Sequence, residues 1–126
     1  MNFFTKWFKR NLKPSTSPMP THETLVEMMY DKHLDAFSDE VVRVIYSRDR
    51  SMRYVVLKDG KGRFTYQLEE IYQYEEDEWK YLGAQDHGLP AMWEPFRGMV
   101  GKSIFENMDE LLKEMKMEAE YKRYFK

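Results

Sequence analysis

No cysteine occurs anywhere in the 126 residues. That absence excludes disulfides, thiolate nucleophiles, Cys-ligated zinc and iron–sulfur clusters together. Glycine and proline are scarce, at 6 and 5, which excludes collagenous and low-complexity architectures. Long apolar runs are missing too, and none approaches the ~18 residues of a membrane span. There is no G-x-S-x-G elbow, and His22, His33 and His87 have no H-x-x-x-H or H-E-x-x-H partner. The serine-hydrolase signature and the helical metal site are therefore absent.

What is present is a globular composition, 42% hydrophobic and 33% charged. The length suits one domain able to bury roughly 68% of its unfolded surface. The net charge of −2 argues against a protein that coats nucleic acid. That small total hides segregation. Residues 1–20 carry Lys6, Lys9, Arg10 and Lys13 and no acid. The stretch 43–63 is basic, with Arg43, Arg48, Arg50, Arg53, Lys58, Lys61 and Arg63 against Asp49 and Asp59. The stretch 65–79 has Glu69, Glu70, Glu75, Glu76, Asp77 and Glu78 and no base. Basic and acidic strands side by side would pair across a sheet. A bipolar surface that recruits an oppositely charged partner is the functional alternative.

Three regions follow from the pattern. Residues 1–13 read as an amphipathic helix, with Phe3, Phe4, Trp7 and Phe8 on one side and Lys6, Lys9, Arg10 and Lys13 elsewhere. Such a segment suits contact with an anionic membrane surface, or docking on the domain, a partner or a second copy. Residues 14–20, with three prolines, form a stiff linker. Residues 21–126 are the domain.

Within it, apolar spacing predicts a helix over 22–37, started by Thr21 or by a Thr24–Glu27 capping box. Strands are expected at 41–47 and 52–58, then after the turn Asp59-Gly60-Lys61-Gly62 at 64–74, and a fourth at 78–82 around Trp79 and Tyr81. Pro90 and Pro95 confine any strand at 89–96 to an edge. A helix over 107–117 buries Leu111, Leu112 and Met115, and Tyr121, Tyr124 and Phe125 dock a last turn. The expected fold is α+β: an antiparallel meander of about four to five strands flanked by an N-terminal and a C-terminal helix.

Chemistry-bearing motifs are weak. Gly98-Met99-Val100-Gly101-Lys102-Ser103 fails as a P-loop because Phe96 stands where the first glycine belongs. Lys61-Gly62-Arg63-Phe64-Thr65-Tyr66 resembles an RNA-recognition strand only in part, and nucleic acid is not an expected ligand. No cofactor or metal is expected. Aromatics make up 16% of the chain, and tyrosines near a sheet margin serve either packing or contact with another protein.

Arg53-Tyr54-Val55-Val56-Leu57-Lys58, Phe64-Thr65-Tyr66, Asp77-Glu78-Trp79-Lys80-Tyr81, Pro90-Ala91-Met92-Trp93, Gly101-Lys102-Ser103-Ile104-Phe105 and Glu120-Tyr121-Lys122-Arg123-Tyr124-Phe125 follow one another in that order. Across residues 50–126 the chain resembles small uncharacterised cytosolic proteins of Gram-positive bacteria. The resemblance implies a short strand at 101–105, a helix capped by Asn107 and a cytoplasmic location, and it brings no catalytic residue. Some proteins of this size serve as immunity partners to toxins, an analogy of fold.

The leading expectation is a non-catalytic protein-binding domain, an immunity or regulatory factor being one form of it. Its contact residues are Tyr72, Tyr74, Glu75, Glu76, Asp77, Trp79 and Trp93, an acidic and aromatic set with no chemistry attached. The alternatives are a small hydrolase-type enzyme using carboxylates or His87, and a membrane-peripheral protein anchored by residues 1–13.

Overall fold

The computed structural model describes residues 20–79, 88–98 and 103–126. The expectations for 1–13, including Phe3, Phe4, Lys6, Trp7, Phe8, Lys9 and Arg10, and for nearly all of 14–20 lie outside these residues.

Four strands form one antiparallel sheet in the order β1 (Glu40–Tyr46), β2 (Met52–Lys58), β3 (Phe64–Gln73) and β4 (Ala91–Pro95). Together with the helices this is an α+β fold. Two turns fix the meander. At the first, the Asp49 carboxylate accepts from the amide and hydroxyl of Ser51 and from the Ser47 hydroxyl, an Asx-type turn. At the second, Asp59 accepts from the amides of Lys61 and Arg63. Gly62 there has φ +78°, a value that glycine reaches without a Cβ clash. Both edge strands are blunted. β1 has a bulge between Val41 and Arg43, and β4 ends in Pro95.

The fourth strand is not where alternation at 78–82 placed it. Glu76–Glu78 is a helical turn and Trp79 has helical dihedrals, while 80–82 lie outside the described residues. Glu75 and Glu78 form a reciprocal capping box, and acidic residues are favoured at a helix start. β3 instead pairs with the proline-bearing β4, as Ile71↔Trp93 and Gln73↔Ala91. The described residues hold no fifth strand, although Phe64 and Phe105 form an isolated bridge.

The first helix, α1 (His22–Met29), begins where expected, the Thr21 hydroxyl accepting from the amide of Thr24. It stops eight residues before the periodicity does. Tyr30 is extended, and Asp31 and His33 have φ of 57° and 61°. A short 3-10 turn, Leu34–Ala36, follows. The last helix, α2 (Met108–Lys116), is capped by Asn107, whose side chain accepts from the amide of Glu110 at 2.9 Å. A π-type turn, Tyr121–Phe125, comes after it.

Two apolar clusters hold the fold. Leu25 and Met29 of α1 meet Ala91 and Trp93 of β4, with Tyr46 and Ile71. Leu111 and Met115 of α2 meet Tyr54 and Val56 of β2, with Ile45, Phe64, Tyr66, Leu68, Tyr121 and Phe125. Strand side chains alternate between faces, and the register puts the strand members of these clusters on opposite faces of the sheet. Each fully buried large side chain contributes ~1.5–3 kcal/mol.

Candidate protein-contact surface

The acidic stretch begins at the end of β3. Tyr72 donates its hydroxyl to Glu78 Oε1 at 2.6 Å, and the same oxygen accepts from the Glu75 amide at 3.0 Å. This carboxylate therefore ties strand to turn. The hydrogen bond to Glu78 pushes the Tyr72 phenol up to about 12, and it holds the Glu78 carboxyl below its ordinary value, aided by the Glu75 amide. Glu75, Glu76 and Asp77 are exposed, and Trp79 is half-buried.

The expected contact set does not stay together. Tyr74 is buried, its ring edge-on to Tyr72 with centroids 6.2 Å apart, and its amide donates to the Pro90 carbonyl. Trp93 is only 5% exposed, and its indole N–H donates to the Met29 carbonyl at 2.7 Å. Trp93 belongs to the core because β4 faces α1. Tyr72, Glu75, Glu76, Asp77 and Trp79 remain at the margin.

A buried polar group also went unread in the sequence. Arg53, fully buried on β2, donates from Nε to Glu69 Oε1 at 2.8 Å and from Nη1 to the Lys32 carbonyl at 2.8 Å. Its guanidinium lies 4.2 Å from the Trp93 ring centroid. Glu69 accepts a second bond, from Gln67. Beside it, the Tyr46 hydroxyl donates to Asp31 Oδ1 and accepts from the Asp31 amide, both at 2.7 Å. Burial and the Asp31 carboxylate raise the Tyr46 phenol. Three side chains from β1, β2 and β4 thus grip the main chain between Met29 and Lys32. The one clue in the sequence was the basic stretch meeting the acidic one, since Arg53 and Glu69 are direct cross-strand neighbours.

The second carboxylate centre is Glu118, which accepts from the Tyr54 hydroxyl at 2.7 Å and also from the Tyr66 hydroxyl. Burial, then the Glu118 carboxylate, drives both phenols well above their ordinary value. They stay neutral donors, which is the reverse of an activated nucleophile.

Among the described residues no group of three or more His, Asp or Glu side chains is placed to hold a metal ion. His22 stands 3.9 Å from Asp49 at the surface, and His33 sits in the strained loop after α1. His87, Asp86 and residues 99–102 of the glycine-bearing segment lie outside the described residues. Among the described residues, no helix is long and apolar enough to cross a membrane. No family model, curated protein or solved structure matches the chain.

Proposed function

We propose that this chain is a non-catalytic, cytoplasmic protein-binding domain, of the immunity or regulatory kind, whose contact surface is the acidic turn at the end of β3. The observation that carries the reading is the order of that turn. Glu76 and Asp77 are exposed on backbone fixed by the Glu75–Glu78 capping box and the Tyr72–Glu78 bond. A surface already held in one geometry loses little conformational entropy on binding. Its charge calls for a basic partner, and Trp79 and Tyr72 supply aromatic contact beside the carboxylates. Leu25 and Met29 of α1 lie against β4 and Leu111 and Met115 of α2 against β2, which leaves the end of β3 for recognition.

The test is affinity capture from native lysate with the full chain and with an E76K/D77K variant. A stoichiometric basic protein retained by the parent and released by the variant, at unchanged melting temperature, supports the reading. Equal retention by both, or no retained protein, removes it.

A further inference from the structure

We propose that the cleft between the end of β4 and the C-terminal turn binds a small oxyanion of the phosphate class. The cleft encloses about 100 Å³ and is lined by Phe96, Arg97, Ala119, Glu120, Arg123 and Tyr124. A water needs only ~10–15 Å³ of such space, so the cleft has room for a tetrahedral anion. Two arginines from distant parts of the chain, Arg97 and Arg123, line it. Neither has a carboxylate within 4.0 Å among the described residues.

Each guanidinium instead packs against a ring. Arg97 Cζ is 5.0 Å from the Phe96 centroid, and Arg123 Cζ is 5.3 Å from that of Tyr124. A guanidinium held over an aromatic ring keeps N–H donors for an oxyanion, and the arginine fork suits phosphate. The walls are also held in place. Phe96 is buried. Arg48 donates from its amide to the Tyr124 carbonyl at 3.0 Å and from Nη2 to the Arg123 carbonyl at 2.6 Å. Arg97 itself has φ 51° and ψ 31°, a left-handed conformation that is strained for a residue with a Cβ. Strain of this kind collects where a side chain must be aimed.

Glu120 sets the selectivity. Its carboxylate opposes an anion that carries no proton and accepts from one that does, so phosphate is preferred to sulfate. Glu70 and Glu94, opposite one another on β3 and β4, lie close enough for Arg97 to offset part of the rise that burial and Glu94 impose on Glu70.

The experiment is calorimetric titration of the full chain with inorganic phosphate, and separately with sulfate, at constant ionic strength. The parent protein should show saturable phosphate binding. Each of Arg97→Gly and Arg123→Gln should weaken it about tenfold or more, since each removes a charge-assisted contact. The glycine variant removes the guanidinium while relaxing the backbone, so its melting temperature without phosphate should not fall. Absence of saturable binding, unchanged affinity in both variants, or sulfate bound as tightly as phosphate would each overturn the assignment.

Discussion

The two apolar clusters are built on different terms. The one around Leu111 and Met115 is aliphatic and aromatic throughout, and its polar groups, the Tyr54 and Tyr66 hydroxyls, meet Glu118. The one around Leu25 and Met29 has a charged pair beside it, Arg53 with Glu69, sealed under the chain that leaves α1. The difference follows from the backbone. α2 starts on a cap and ends in further helical turns, so its peptide groups find local partners. α1 ends abruptly, and the irregular chain from Met29 to Lys32 presents main-chain groups toward the sheet that side chains help satisfy. Arg53, Tyr46 and Trp93 supply those bonds. Irregular backbone on one side has drawn charge into the interior.

Breaking that charged pair should have the largest effect. Arg53→Met leaves Glu69 buried with its main partner gone, and urea unfolding at neutral pH should show a loss of about 3–5 kcal/mol. The double variant R53M/E69L should recover most of it, because two apolar groups leave no unpaired charge. A double variant as unstable as the single one would mean that the Lys32 carbonyl, left without its donor, dominates. On the other cluster, Leu111→Ala should lose about 3 kcal/mol by the same measurement, from transfer and cavity terms alone. No partner substitution should restore that loss, and this sharpens the contrast.

Glu118→Gln comes next, with an expected loss of about 1–2 kcal/mol from weakened tyrosine hydrogen bonds. Its pH dependence is the cleaner signature. The Tyr54 and Tyr66 phenols are raised in the folded state by burial and by Glu118, whereas in the unfolded chain they titrate near ~10. Their stabilisation is therefore intact below that value and falls as pH rises through it towards the folded values. Unfolding curves from neutral to alkaline pH should show this decline, and it should be shallower in Y54F/Y66F. The smallest effect is expected at the surface turn. In Tyr72→Phe, the Glu78 carboxyl followed by NMR titration should move up towards its ordinary value, with little change in melting temperature. With Glu78 lowered in the parent, the stabilisation it contributes is present above the unfolded carboxyl value and disappears as pH falls, and the variant loses that component.

How much of this was legible depended on the range of the interactions involved. β2 (Met52–Lys58), the Asp59–Gly62 turn and the cap at Thr21, one of the two starts that the spacing offers, rest on neighbours in sequence; the Asn107 cap is what the resemblance implies. The end of α1 does not, because the apolar spacing continues through Tyr30, His33 and Phe37 while Tyr46 and Arg53 pull the main chain out of helix. The fourth strand was misplaced for a related reason. Alternation around Trp79 is local, whereas the partner of β3 lies beyond an acidic turn, in a stretch whose prolines weaken its strand signal. The cleft at Arg97 and Arg123 joins positions separated by the whole of α2, and no spacing rule reaches that far.

The pairing of β3 has a further consequence. Within β3, Phe64 to Glu70 face β2 and Glu69 to Gln73 face β4, so Glu69 and Glu70 are the two residues of β3 paired on both sides. The sheet is two ribbons spliced over a two-residue lap, and the Arg53–Glu69 bond lies beside the joint, within the β1–β2–β3 ribbon. Such a lap lets β4 peel from β3 while the β1–β2–β3 ribbon stays closed, and native-state amide exchange should accordingly run in two blocks that meet at Glu69.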